Sequence, residues 1–396
     1  MRKIVQIASK PIKELLLSVR YYKWRKRLRQ GRKILDRQGL IKRNESALIN
    51  YGQDEVVTCN SKCIHFQSEV PGVKSPSFLE FLNAEFTIPK PATLTLENAE
   101  LVGQMAVAVD CQDEIILEST YNSMFYLNKT GDAKYLMNKD NLPVERYYVE
   151  AISLVDLLDS SYFFWFTSFL PLLEPIYDQL KVKENFKILL NKNAKRFQVE
   201  SLQLMGLEEN IEFWDAIRVK VDKLHLPINR NLFIWENDKN LVQILSPQAI
   251  NWIRKCLLLD DKKEDTPKRF FISRRQAHGR HIVNENELNE IFIKYDITSV
   301  CLEDISLRDQ INMFGNAKLI IAPHGAGLTN VMFTTKASII EFFPSGWTYN
   351  RSIIYQLANL LGHTYSFNVI ESVNSELDMH LDKQTLEKLI ESHLPD

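Results

Sequence analysis

Between residues 269 and 369 the chain alternates short apolar runs with longer amphipathic ones, a pattern that few folds satisfy. The apolar runs fall at 269–273, 299–302, 319–322, 339–343 and 365–369. They are too short for buried helices, which predicts strands, most of them covered on both faces. Helical segments fill the intervals at 284–295, 306–316, 328–333 and 350–361. Asn284 stands three residues before Glu287, and Ser306 three before Asp309; both are helix-start signals. Strands separated by helices form a parallel, doubly wound sheet, because each return crossover passes over a sheet face. Such sheets bind ligands at the carboxyl ends of their strands.

At 396 residues the chain exceeds what one hydrophobic core usually serves. Residues 45–145 are mixed, with strand-like runs at 106–109 and 114–117 and breaks at Pro89, Pro91 and Asn98. From residue 146 the pattern turns α/β: strands at 147–152 and 186–190, an aromatic-rich helical stretch at 160–180 broken at Pro171 and Pro175, and a helix at 197–205. Residues 232–235 suit a strand and 236–247 a polar connector. The expected organisation is a basic arm (1–44), an N-terminal α/β domain (45–245), a C-terminal Rossmann-like domain (246–372) and a tail (373–396). The tail's helix, at 384–393, is expected to pack back at the domain junction.

Hydrophobic residues make up 45% and charged residues 25%, the balance of a soluble globular protein rather than of a disordered chain, a fibre or a multi-span membrane protein. The net charge of −1 conceals an asymmetry: residues 1–43 carry fifteen Lys and Arg against Glu14 and Asp36, which leaves about −14 on the rest. Ile12, Leu15, Val19 and Tyr22 follow helical spacing among Lys13, Arg20, Lys23, Arg25, Lys26 and Arg27. A basic amphipathic helix of this kind suits an anionic membrane interface through residues 1–30. A solvated or packed arm and a nucleic-acid-binding arm are the other readings, and no nucleic-acid partner is expected. Cys59, Cys63, Cys111, Cys256 and Cys301 are odd in number and sparse, which favours a reducing compartment over a disulfide framework. The expected location is the cytoplasm, peripheral on the inner face of the cytoplasmic membrane. Cys59, Cys63 and His65 resemble half of a metal site, but no second pair sits at zinc spacing. No metal and no cofactor are expected.

The chemistry concentrates at strand ends. Residues 319–330 read Leu-Ile-Ile-Ala-Pro-His-Gly-Ala-Gly-Leu-Thr-Asn: strand, glycine turn, helix. Gly325 and Gly327 permit a tight turn and close approach to a ligand. The amides of Ala326 and Leu328 that open the helix favour an anion such as a diphosphate. His324 ends the strand, and Thr329 and Asn330 add hydrogen-bonding groups. Arg274 and Arg275 end another strand, with Arg280 and His281 after them, and guanidinium forks match phosphate geometry. Glu303 and Glu341 end two further strands and suit ribose or sugar hydroxyls. An ion pair between Glu341 and Arg274 or Arg275 is the structural alternative, because a buried carboxylate without a partner is costly. The chain has no P-loop, no Gly-x-Gly-x-x-Gly, no Gly-x-Ser-x-Gly and no His-Glu-x-x-His. It also lacks Asp-x-Asp, which favours a metal-free mechanism.

The stretch 271–343 resembles glycosyltransferase family 61. That family reads roughly Ile-Ser-Arg, Ala-x-x-Arg-Arg, Asn-Glu-x-Glu-Leu, Leu-Glu-x-Leu-Ser-Leu-x-Gln-Ile, Pro-His-Gly-Ala-Gly-Leu-Thr-Asn and Ile-Glu. Here stand Ile272-Ser273-Arg274, Arg280-His281, Asn284-Glu285-Asn286-Glu287-Leu288, Leu302-Glu303 followed by Ser306-Leu307 and Gln310-Ile311, the whole of 323–330, and Ile340-Glu341. The resemblance implies a GT-B-like architecture, two Rossmann-like domains facing a cleft, and an inverting, metal-independent sugar transfer from a nucleotide-sugar donor. The acceptor it implies is an oligosaccharide or lipid-linked glycan, in capsular or related polysaccharide biosynthesis. Carried over residue by residue, Arg274 and the 324–330 turn hold donor phosphates, and Glu303 and Glu341 contact ribose, base or sugar.

One motif departs. The family's first domain carries Asn-Tyr-x-His-Trp-Leu-x-Glu/Asp-x-Leu-Pro-Arg, whereas residues 161–172 read Ser-Tyr-Phe-Phe-Trp-Phe-Thr-Ser-Phe-Leu-Pro-Leu. Phe164 replaces the His, Ser168 the acid and Leu172 the Arg, and His281 replaces a later Arg. An inverting transfer needs a base for the acceptor hydroxyl. Asp156 and Asp159, just before the altered motif, are the expected replacements; cap or loop carboxylates are the other reading. The lost His and acid also leave open a non-catalytic nucleotide-sugar-binding protein.

Overall fold

A computed structural model describes residues 34–35, 48–50, 54–58, 64–68, 85–120, 130–228, 232–237, 240–258, 265–347 and 352–394. The helix expected near residues 12–28, and Cys59 and Cys63, lie outside these residues. The architecture is α/β. Six parallel strands form one sheet in the order Thr298–Val300, Arg269–Ile272, Leu319–Pro323, Ser338–Pro344, Thr364–Ile370 and Ile64–Ser68. The first five are those the alternation predicts; the sixth arrives from far upstream. Because Arg269–Ile272 lies between Thr298–Val300 and Leu319–Pro323, the chain leaves this central pair in opposite directions. That is a topological switch point, where connections part and leave a crevice.

Period-two burial explains the two coats of helix. Ile320 and Ile339 join Phe314, Met332 and Leu357 in one cluster. Ile321 and Ile340 join Phe292, Leu386 and Ile390 in another. The last helix, Lys383–His393, therefore packs on the parallel sheet's own flank, not at the expected junction. Its Leu386, Leu389 and Ile390 recur at helical spacing, and Glu387 pairs with Lys294 at 2.6 Å. Ser306 caps the Leu307–Asn316 helix as expected, accepting from the Asp309 amide. Asn284 does not cap; its side chain instead bonds both backbone groups of Leu381.

A second, nine-stranded sheet is mixed. Its parallel unit comprises Arg218–Ile228, Arg146–Ser153, Phe186–Asn191 and Ile211–Trp214, and Ala92–Val102 adds to it antiparallel. The expected connector at 236–247 is mostly structured: Asn240–Ile244 pairs back on Leu232–Asn237, and Pro247–Leu257 is a helix. Ser246 caps that helix ahead of Pro247, a start signal inside the stretch read from sequence as a connector. Between the sheets lies the aromatic stretch, running without a break from Tyr162–Phe164 through Trp165–Phe169 and Leu170–Ile176 to Tyr177–Val182. Trp165–Phe169 winds as a π-helix. Phe166 meets Phe333 edge-on with centroids 6.0 Å apart, so one core cluster draws on both sheets.

Candidate functional site

Arg274 follows the Arg269–Ile272 strand and Gly325 follows Leu319–Pro323, so both sit at the switch point. They touch: a Cβ placed on Gly325 would collide with Arg274 Nη1. Gly325 has φ −179°, extended backbone open to any residue, so what this position uses is the missing side chain. At Gly327 a Cβ would lie 2.7 Å from Leu302 Cδ1.

The loop carrying the second cation is braced. Gly279 and Arg280 take φ of 67° and 58°, and a Cβ at 279 would strike the Glu376 carbonyl oxygen. The Arg280 amide donates to that carbonyl at 3.0 Å. His281 is tied through its backbone and ring to Asp378 Oδ1, at 2.8 and 2.9 Å. Thus held, Arg280 stacks 4.4 Å from the Trp347 ring centroid and donates to the His324 carbonyl at 2.9 Å. Arg274 Nε donates to the Gly279 carbonyl at 3.0 Å. Among the described residues neither guanidinium has a carboxylate within ion-pair distance. Burial, then the neighbouring Arg280 charge, pulls the Arg274 pKa down to about 10; burial also lowers that of Arg280. The two cations are held together with no carboxylate in ion-pair contact, Glu303 and Asp378 acting on Arg274 and Glu341 on Arg280 only from farther off, an arrangement that an anion relieves.

They border a cavity of about 490 Å³, of the size that takes a small ligand. One wall comes from the side of the second, nine-stranded sheet: Tyr162, Lys195, Arg196, Phe197 and Glu200. The other comprises Arg274, Ala277, Arg280, Leu302, Glu303, Gln310, Ala326, Gly327 and Asn330. Hydrogen bonds join the walls. The Tyr162 hydroxyl donates to Asn330 Oδ1 at 2.6 Å, and Asn330 Nδ2 to Gln310 Oε1 at 2.9 Å. Arg196 Nη2 donates to the Ile305 carbonyl at 2.6 Å, and the Leu307 amide to Glu200 Oε2 at 2.9 Å.

Arg274, Arg280, Glu303, Ala326, Gly327 and Asn330, all expected from sequence, line this space, and Gly325 adjoins it. The other expected residues do not line it. Arg275 is exposed and donates to Cys301 Sγ at 3.0 Å. Leu328 and Thr329 are buried, and the Thr329 hydroxyl has no hydrogen-bond partner. Glu341 is fully buried and pairs with neither arginine: its Oε1 lies 2.5 Å from His324 Nδ1, and its Oε2 accepts the Tyr365 hydroxyl at 2.6 Å. The sheet interior supplies that partner because His324 follows the strand next to Glu341 and stacks on Phe343 at 4.6 Å.

Asp156 and Asp159 are buried in one turn after Arg146–Ser153. Asp159 Oδ2 accepts the Asp156 amide at 3.2 Å, and Asp156 Oδ1 the Leu158 amide at 2.9 Å. Burial raises their pKa values to about 6 and about 7, and for Asp159 the Asp156 charge adds to it. Asp156 borders a separate hollow of about 50 Å³ beside His225. Of the altered motif, Phe164 packs on the core, and Ser168 accepts from Gln243 Nε2 at 3.1 Å. Sequence reasoning missed Lys195, Arg196, Phe197, Glu200 and Gln310. The first four follow the carboxyl end of Phe186–Asn191, so the rule applied to the second sheet would have pointed to them. Among the described residues no cluster of His, Cys, Asp and Glu could hold a metal ion, and no helix is long and apolar enough to cross a membrane.

Comparison with known families matches the Glycosyltransferase 61 model to residues 162–340, a span that contains every residue lining the cavity. No curated protein matches the chain. The match covers residues 162–340, under half of the chain; it supports glycosyltransferase activity and implies a sugar donor and a glycan acceptor.

Proposed function

We propose that the chain inverts the anomeric centre as it moves a hexosyl or pentosyl group, without an essential metal, from a nucleotide-sugar donor to an oligosaccharide or lipid-linked glycan of a cell-surface polysaccharide. The two sheets act as facing halves of a GT-B-like arrangement, with the donor on the parallel sheet. One observation carries this reading: two guanidinium groups with no carboxylate in ion-pair contact meet a side-chain-free turn at the switch point, on the edge of a ligand-sized cavity. A diphosphate leaving group develops negative charge as the glycosidic bond breaks. Arg274, Arg280 and the amides after Gly325 are preorganised to accept it, the role a metal ion would otherwise fill.

The acceptor hydroxyl must lose a proton as it attacks the anomeric carbon. Asp156 and Asp159 have the titration range of a base, but Glu303 has the location. Geometry ranks first. Glu200, the other carboxylate on the wall, already accepts the Leu307 amide. Glu303 is therefore the base in this proposal, and Glu341 a positioning residue that orients His324 beneath the turn.

The test supplies purified protein with UDP-, GDP-, CMP- and dTDP-sugars, with and without chelator. One donor should release nucleotide slowly, chelation should not abolish the release, and Glu303→Gln should slow turnover about 100-fold or more with donor affinity little changed. Binding without release or transfer across the panel would instead support a donor-binding protein, as the altered 161–172 motif suggests.

A further inference from the structure

We propose that a groove at the opposite edge of the parallel sheet, remote from the switch point, binds a phosphate-bearing anion. Parallel strands gather their amino ends on one edge. Register pairs Arg269 with Leu319 and Leu319 with Ser338, so Lys268, Lys318 and Lys336 reach neighbouring strand starts. All three are exposed, and they line a concavity of about 510 Å³ with Arg269 and Asp296. The Lys318 amide donates to the Lys268 carbonyl at 2.6 Å, which fixes two of the stems on rigid backbone. Among the described residues none of the three ammonium groups has a carboxylate within ion-pair distance, and Asp296 is the one acidic residue in the lining. Like charges held side by side on adjacent strands destabilise a sheet. Here they gather on a chain whose residues beyond the basic arm are net acidic. A compact, multiply charged anion offsets that repulsion and is held by several ammonium groups at once. This inference does not depend on the donor site.

The probe is inorganic pyrophosphate, titrated calorimetrically at low ionic strength into full-length Arg274→Ala/Arg280→Ala protein, whose donor-side cations are gone. One site per chain should remain. Adding Lys318→Glu and Lys336→Glu should weaken it by about tenfold or more, with the gap narrowing at high salt. In otherwise unaltered protein, the same two charge reversals should leave the melting temperature without ligand at or above that of wild type, because repulsion is relieved. They should also shrink the rise that pyrophosphate produces. Phosphatidylglycerol vesicles distinguish the sources: loss of the pyrophosphate heat in their presence assigns the groove to a lipid headgroup, and its persistence to a soluble phosphate. Equal pyrophosphate affinity with and without the two glutamates overturns the proposal.

Discussion

Gly325→Ala separates a steric role from a conformational one. The backbone at 325 is extended, so alanine fits it without strain, and folding stability should change by less than about 1 kcal/mol. The new methyl occupies the volume of Arg274 Nη1, however, and the guanidinium must swing away. If Arg274 holds the donor diphosphate, this displacement forfeits charge-assisted hydrogen bonds of about 1.5–3 kcal/mol. Donor or nucleoside-diphosphate affinity should then fall roughly 10- to 150-fold. Calorimetry on the variant, with its melting curve alongside, reads both quantities. Arg274→Ala should lose at least as much, and in that background Gly325→Ala should add little, because the colliding atom is gone. A Gly325→Ala protein that binds the donor as wild type does would show that Arg274 is not the diphosphate ligand.

Other side chains carry consequences of the same kind. Glu341→Ala strands His324 Nδ1 and the Tyr365 hydroxyl in an apolar interior and should cost about 2–5 kcal/mol in denaturant unfolding; Glu341→Gln, which keeps an acceptor, should cost less. Asp156 and Asp159 titrate well above the usual 3.8 of aspartate, so their protonated forms favour the native state. Their stabilisation is full below about pH 4 and fades as pH rises through 6 to 7, so Asp159→Asn should flatten the stability curve across that window, by roughly 2–4 kcal/mol. An unchanged pH profile would contradict the burial-driven shift. Removing residues 1–30 should release the protein from anionic vesicles, and equal sedimentation of both forms would refute a membrane role for the basic arm.

The parallel sheet was legible because its strands are buried on both faces and read as continuous apolar runs between helices. The strand Arg218–Ile228 was not: Lys220, Asp222 and Lys223 interrupt its apolar pattern, and its pairing with Ala92–Val102 involves residues more than a hundred positions away. The sixth parallel strand, Ile64–Ser68, carries no local mark of the sheet it joins, since its partner is Thr364–Ile370. At the site, strand-end position pointed to Arg274, Arg280 and the glycine turn, which the fold gathers at the edge of one cavity. It could not say which way a side chain turns. Arg275 therefore faces Cys301, and Glu341, for all its strand-end chemistry, lies under His324. The second wall was missed because Lys195 to Glu200 belong to another sheet, and only the fold brings them across the cavity from Arg280.

A crystal structure with a bound nucleoside diphosphate tests the central claim most directly. The expected result has diphosphate oxygens within about 3 Å of both the Arg274 and Arg280 guanidinium groups and of the amides following Gly325. A diphosphate bound elsewhere on the chain, with the two arginines still facing each other and no anion between them, would contradict it.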